Sequence, residues 1–591
     1  MDYFDLNMEL LRKRQPLLAK RLEEVIPAQN IDVTSLSATP IIDPKINLSY
    51  INTLAVLGFG MGTHVRELVE RTQEKTLVLV VDPDIATFKA LLKIIDLTPI
   101  LKRPNVKLAI GEFAPYAVRS RIDNYYKINT IPDITVAEHK PSLAKNPLYY
   151  EEVKTLLEEA TVVGRQNLAT LAENATLWQN QILINLPIII KCPGLRTLYG
   201  RFQNMPVIIV AAGPSLDKNV MHLKEAKDKA VIICVDTALR TLFNHNIKPD
   251  LVITIDATAK NYNYYLKDLD ISDIYLIAGP AVYPETFLSA ISKIFVSSFG
   301  HPLLDWIETF IGVKGTIKLG GSVSTAAFDL ARRGAANPII FIGQDLGFPD
   351  DKVYTSGVKK ERFEEAEKIW PTVEFMWVED VYGGKVKTVQ GMWTWIKWFE
   401  HQISEMPQTL CIDATEGGAK IPGTKILTLK ETIEKYCQKS INIDQILQQA
   451  YNSYVLPDMN NLLNEMERII KDWKKVQFIG KEGTALANRL LETIADNHID
   501  KKAMKMFKEL GILYHRIIEN HRGFMRLSSW NLESLLFRME RFSLSTDPVV
   551  KATACKNFFE EISTYCQETV ISLTSVQEKL FQIQSERKNN A

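Results

Sequence analysis

The chain has 591 residues, too many for one hydrophobic core, which predicts roughly three to four domains. Hydrophobic residues make up 46% and charged residues 24%, a globular balance that excludes a fibrous or largely disordered chain. Lys+Arg and Asp+Glu both number 70, so charge gives no ground for a nucleic-acid partner and none is expected.

Six cysteines (Cys192, Cys234, Cys411, Cys437, Cys555 and Cys566) are scattered without a C-x-x-C pair, which predicts free thiols in a reducing compartment. The N-terminus, Met1-Asp-Tyr-Phe-Asp-Leu, lacks a basic region followed by an apolar core, and no apolar run reaches bilayer length. The expectation is a cytoplasmic protein with no stable membrane insertion.

Residues 1 to about 45 alternate helical pattern with Pro/Ser/Thr-rich loop. From Leu54 the pattern is α/β: an apolar strand runs into Gly58-Phe-Gly60-Met-Gly62, a helix follows over Val65–Thr72, and a second strand ends at Asp82. An acid about 20 residues after a glycine turn is the spacing of a nucleoside-binding unit, although such a turn also simply tightens a strand–helix corner. Residues 1–150 are read as an N-terminal α/β domain and 151–204 as a helical connection.

From about 205 to 350 apolar runs recur at Val207–Val210, Val231–Val235, Leu251–Ile255, Ile274–Ile277, Ile294–Val296 and Ile339–Ile342. Such continuous runs fit strands buried on both faces of a parallel sheet. Several end in small or polar residues: Gly213-Pro214-Ser215, Asp236-Thr237, Asp256, Gly279-Pro280 and Gly343-Gln344-Asp345. Open α/β sheets bind ligands at that carboxyl rim. Gly213 is expected to supply unusual backbone angles and to let an anion approach main-chain N–H groups; Ser215 is expected to cap a helix over Lys218–Ala226. A second loop, Gly320-Gly321-Ser322-Val-Ser324-Thr325, presents hydroxyls at a helix start, an arrangement that favours phosphate or carboxylate oxygens, or merely caps the helix. No lysine stands at a P-loop position. Asp236, Asp256 and Asp345 allow three roles: divalent-metal ligands, sugar-hydroxyl acceptors, or loop caps. No histidine spacing marks a metal site, so none is assigned. His301 is a candidate base. Residues 205–428 form the central domain, and 429–591, poor in Gly and Pro, read as a helical bundle with Leu462, Leu463, Met466, Ile469, Leu486, Leu490 and Ile494 on its apolar faces.

The ordered motifs Ala212-Gly-Pro-Ser-Leu-Asp-Lys-Asn219, Val235-Asp-Thr-Ala238, Pro249-Asp250 with Asp256, Gly320–Ala326, Gly343-Gln-Asp-Leu346 and Asp413–Ile421 resemble the motility-associated factor (Maf) glycosyltransferases, which modify flagellin. The resemblance implies an N-terminal α/β domain, a central Rossmann-like parallel-sheet domain similar to bacterial sialyltransferases, and a C-terminal α-helical domain. It implies a CMP-activated nonulosonic acid (pseudaminic or legionaminic type) as donor, with no cofactor certain beyond it, and flagellin Ser/Thr as acceptor. The Gly213–Ser215 turn would lie beside the nucleotide and Gly320–Thr325 beside the phosphate or sugar carboxylate. Ala211 and Ala212 replace the Gly-Asn of the sialyltransferase turn Gly-Asn-Gly-Pro-Ser-Leu, so the amide contact to the nucleotide is either missing or supplied elsewhere, with Asn219 the candidate. His301 or Asp256 would take the acceptor proton. Three rivals stand beside this reading: a Mg-dependent pyrophosphoryl transferase similar to archaeal hydroxymethylpterin diphosphokinases, a methyltransferase at the Gly58 turn, and a non-enzymatic flagellin-binding factor.

Overall fold

The computed structural model describes residues 3–29, 36, 47–48, 51–111, 118, 134–289, 293–494, 500–532, 534–535 and 547–589. These residues fall into two compact units, Met1–Glu173 and Asn174–Ala591. The expected connection over 151–204 is largely one helix, Pro147–Lys191, which carries the chain from the first unit into the second. The expected boundary at 428 does not divide the core, because one hydrophobic cluster runs from Ile182 to Ile583. Most of the expected loop before residue 45 lies outside the described residues.

The first unit opens with helices Tyr3–Arg14 and Pro16–Glu24. It then forms a four-stranded parallel sheet from β1 (Thr53–Leu57), β2 (Leu77–Asp82), β3 (Val106–Ile110) and β4 (Ile134–Glu138), in the order β3-β2-β1-β4. β1 and β2 are buried throughout, as their apolar runs require.

The second unit is built on an eight-stranded parallel sheet. Its strands are β5 (Val207–Val210), β6 (Val231–Val235), β7 (Leu251–Thr254), β8 (Tyr275–Ala278), β9 (Ile294–Val296), β10 (Ile339–Ile342), β13 (Cys411–Asp413) and β14 (Lys425–Ile426), and a separate hairpin pairs β11 (Met376–Glu379) with β12 (Lys385–Thr388). The order is β14-β13-β10-β5-β6-β7-β8-β9. Strands β5 to β9 march one way, then the chain returns to lay β10, β13 and β14 on the other side of β5. The strand order therefore reverses between β5 and β10, and at such a switch point a crevice opens outside the carboxyl ends. All six expected strands are present within a residue or so; β13 and β14 add two more beyond the expected runs.

Helix Val323–Arg333 packs across β5, β6, β7 and β10. Its last residues meet the segment leading into β5, with the Gly200 and Phe202 amides donating to Arg333 and Gly334 carbonyls. That places the carboxyl end of the helix at the amino ends of the strands and Ser322, at its start, on the carboxyl rim. Phe328 of this helix stacks on Phe341 of β10, and Trp398 and Phe399 of helix Gln390–Ser404 close edge-on against the pair.

The helical part is dominated by two antiparallel helices, Asn460–Thr493 and Pro548–Asn589. All seven apolar positions expected on the bundle faces are buried. Close approach is set by Gly480 and Gly483: a Cβ on Gly483 would stand 2.3 Å from the Phe559 ring. Gly483→Ala is therefore expected to destabilise the unit by about 1–3 kcal/mol despite better helix propensity. Gly511→Ala, in a helix with nothing within 4 Å of the new Cβ, should instead stabilise by up to about 1 kcal/mol. Urea unfolding followed by tryptophan fluorescence measures both, since every tryptophan lies in the second unit.

Candidate active site

The turn after β5 is folded in on itself. The Gly213 amide donates to the Gly343 carbonyl (2.8 Å), the Ser215 amide to the Asp345 carboxylate (3.3 Å), and the Leu216 amide to the Gly213 carbonyl (3.1 Å). Pro214 has no N–H. The expected anion-binding amides of this turn are thus already paired. Ser215 does not cap a helix either; its hydroxyl donates to Asp345 Oδ2 at 2.6 Å, and both side chains are buried. The expected helix over Lys218–Ala226 breaks into Leu216–Asn219, a 3-10 turn Val220–His222, and Leu223–Ala226. Gly213 is needed for space rather than for unusual angles. Its φ is not positive, and a Cβ there would lie 1.9 Å from Asp345 Oδ2.

Asp345 and Gln344 follow β10, so the Ser215–Asp345 contact joins the two strands that flank the switch point. The loop after β13 completes the knot. The Ala419 amide donates to the Asp345 carbonyl (2.6 Å), and Gly418, at φ +76°, passes so close that a Cβ would meet Asp345 Cα at 2.3 Å. Asn219 is also turned inward: its amide donates to the Ala414 carbonyl (3.0 Å) and to Glu416 Oε1 (3.1 Å). Gln344 is buried. Asp217 accepts from the Thr355 hydroxyl and from the Ser356 amide (2.9 Å), which straps the 355–356 loop across the turn. The sequence gives no sign of the strap, whereas the Gly417-Gly418 pair after β13 is a visible signal of close approach.

Of the three acids, two take the loop-capping role. Asp236 is fully buried and saturated. One oxygen accepts from the Thr237 amide (2.7 Å) and hydroxyl (3.1 Å), the other from the Thr254 hydroxyl (2.7 Å) and Asn261 amide (3.0 Å). Asp345 is the second. Asp256 differs: it stands exposed at the end of β7, accepting the Thr258 amide at 2.7 Å. Among the described residues, no three His, Cys, Asp or Glu side chains gather in metal-binding geometry. His301 is sealed: its Nδ1 accepts the Leu303 amide at 3.2 Å, the ring packs against Trp530, and burial pushes its pKa down to about 3. It caps helix Pro302–Ile311 and reaches no solvent-borne acceptor, so the expectation of a base at His301 is corrected.

The Gly320–Thr325 loop retains open donors. Ser322 caps its helix through the Ser324 amide (3.3 Å) and hydroxyl (2.9 Å), and Thr325 donates to the Ser322 carbonyl while accepting from the Gly320 amide (2.9 Å). Ser324 and Thr325 are buried. Ser322 is half-buried, Gly321 is exposed at φ +94°, and their amides have no partner among the described residues. Trp398 and Trp395 lie where Cβ atoms on Gly320 and Gly321 would fall, at 2.5 and 2.7 Å, so only glycines let the loop settle on the indoles.

The N-terminal glycine turn is closed by its own chain. The Met61 amide donates to the Leu36 carbonyl (2.9 Å), and Asp82 accepts from the Phe59 (2.8 Å) and Asp84 (2.9 Å) amides.

Against known proteins, the MptE-like family (6-hydroxymethylpterin diphosphokinase MptE-like) matches residues 180–351. Two uncharacterised proteins of Treponema pallidum (strain Nichols) are 22% and 26% identical over 173 and 127 residues, covering 29% and 21% of this chain and 57% and 58% of their own lengths. The chain thus spans little more than half of either relative. The solved Maf glycosyltransferase of Magnetospirillum magneticum AMB-1 superposes with a TM-score of 0.50 at 15% identity, covering 98% of this chain and 97% of that one. The chain has the Maf fold. The likeness of fold covers both units, including the N-terminal sheet and the helical end. No described helix is long and apolar enough to cross a membrane.

Burial raises the Asp345 and Asp413 carboxyls to about 6, opposed at Asp345 by its Ser215 hydrogen bonds and at Asp413 by Thr415. The folded protein therefore holds these protons at pH values where the unfolded chain has lost them, so the Maf-fold unit gains stability as pH falls from about 7 toward 4. Asp345→Asn removes one titration. Relative to that variant, wild type should gain on the order of 1–3 kcal/mol between pH 7 and pH 4.5, read from urea midpoints at each pH.

Proposed function

We propose that this protein is a glycosyltransferase that moves a nonulosonic acid of pseudaminic or legionaminic type from its CMP-sugar to Ser or Thr hydroxyls of flagellin. The observation that carries the reading is the pairing, on one carboxyl rim, of a switch point between β5 and β10 with a helix start whose Gly321 and Ser322 amides are unpaired. An anionic leaving group needs such donors, because the transition state spreads negative charge onto the departing phosphate. The Maf fold over 98% of the chain supports the same class.

In this reading the acceptor oxygen forms a bond to the anomeric carbon, the bond from that carbon to the phosphate oxygen breaks, and CMP leaves with the electron pair. The Gly321 and Ser322 amides and the Ser322 hydroxyl receive the phosphate or the sugar carboxylate. Asp256, the exposed acid of the rim, takes the acceptor proton. Ser324 and Thr325 shape the loop, and Ser215, Asn219, Asp236, Gln344 and Asp345 fix the crevice wall behind it. Thr237, half-buried beside Asp236, is the wall hydroxyl nearest solvent.

The test is intact mass of flagellin co-expressed with the protein and a verified nonulosonic acid pathway. The mass should rise by whole sugar units, and Asp256→Asn should slow transfer by about 10²–10⁴-fold while CMP still binds. No mass gain with the donor present, or consumption of ATP in place of CMP-sugar in a Mg-dependent reaction, would overturn the assignment in favour of pyrophosphoryl transfer.

A further inference from the structure

Far along the chain from the proposed transfer site, the helical part carries a groove of about 310 Å³ between helix Asn460–Thr493 and the end of helix Lys501–Asn520, lined by Lys474, Lys475, Phe478 and Arg516 among others. Two features set it apart from an ordinary solvated helix face. The first is apolar exposure. Phe478 is 59% exposed in the groove, and Ile512, outside the groove's lining but one turn before Arg516 on the same helix, is 57% exposed. Each leaves more than half of its surface in water, where burial against a partner would be favourable. The second is unmatched charge. Lys474, Lys475 and Lys481 are exposed and make no ion pair with any described residue, whereas neighbouring Lys471 pairs with Glu467 at 2.7 Å. Arg516 approaches Glu482 only at 4.0 Å. Lys474, Phe478 and Lys481 follow an i, i+4, i+7 spacing, so the lysines flank the phenyl ring on one stripe about 10 Å long.

We infer that this groove docks an acidic amphipathic helix of a partner protein, with two or three turns seated on Phe478 and Ile512 and carboxylates facing the lysines. Charge complementarity selects that occupant. A second copy of this groove would bring like charges together, and an uncharged apolar helix would leave the three lysines unanswered beside it. The apolar pair argues against a bare polyanion, which would use the cations and gain nothing from the phenyl ring. The recognition mode is helix-in-groove, with apolar anchors at helical spacing and charges setting the choice of partner. The inference does not rest on the transfer reaction and stands or falls separately from it.

The test uses the full chain and a fluorescein-labelled helical peptide of Glu/Leu repeats, followed by anisotropy. A peptide with Lys in place of Glu, a single-stranded oligonucleotide and anionic lipid vesicles serve as comparisons. The Glu/Leu peptide should bind and the Lys/Leu peptide should not. Raising salt from about 0.05 to 0.3 M should weaken binding severalfold. The triple variant Lys474→Glu, Lys475→Glu and Arg516→Glu should weaken it about tenfold or more, and Phe478→Ser alone about fivefold. All four positions are at the surface, and unchanged thermal midpoints would show that the variants fold. The inference is overturned if the Glu/Leu peptide binds no better than its Lys counterpart, or if the triple variant binds it unchanged. It is equally overturned if Phe478→Ser has no effect while the oligonucleotide or vesicles bind as well as the peptide, since that pattern is generic polyanion attraction.

Discussion

The architecture of the candidate site depends on one buried contact, the carboxylate of Asp345 held by the amide and hydroxyl of Ser215. A carboxylate taken out of water is costly unless donors replace the lost solvation. Here the donors come from the turn after β5 and the acceptor from the end of β10, the two strands between which the sheet order reverses. Gly213 makes the contact possible by leaving space that any Cβ would occupy, and Gly418 brings the β13 loop against the same residue. The knot sets the spacing of the crevice walls. Its raised proton affinity follows from the same burial, because desolvation outweighs the two Ser215 hydrogen bonds.

This division of labour rearranges what the motifs mean. Residues that look like ligands in the sequence are largely the frame: Ser215, Asp236 and Asp345 spend their polar atoms on neighbouring side chains and backbone, and the Asn219 amide nitrogen does the same while its Oδ1 stays buried and unpaired. Groups with free valence that also reach solvent lie further out, at Gly321, Ser322 and Asp256. A polar residue at a strand end is chemically ambiguous until its partners are known, since a buried hydrogen bond and a ligand contact use the same atoms.

The sheet was legible because parallel strands buried on both faces leave continuous Val/Ile runs, and those runs fall on β5 to β10 within a residue or so. The carboxyl rim was legible for the same reason, each run ending in small or polar residues. Three things were not. His301 was read as a loop base, but Trp530, more than 200 positions away, covers it, and long-range burial leaves no local trace. The short strands β13 and β14 carry too few residues for a period to show. The turn at Gly58 has the spacing of a nucleoside site and of a plain strand–helix corner alike, and that spacing does not reveal that the Leu36 carbonyl takes the Met61 amide and the Asp82 carboxylate the Phe59 amide. The helical end was read correctly as amphipathic, but only coordinates separate the faces that pack from the basic groove that does not.

In the proposed transfer the donor's negative charge lies at the Gly321–Ser322 amides, and the Gly213–Leu216 turn belongs to the frame. Amide hydrogen exchange of the protein with and without CMP tests this most directly. CMP should slow exchange in a peptide spanning 318–326 and leave one spanning 211–217 as protected as before. Protection that appears only outside the β5–β10 rim, or none at saturating CMP, would contradict it.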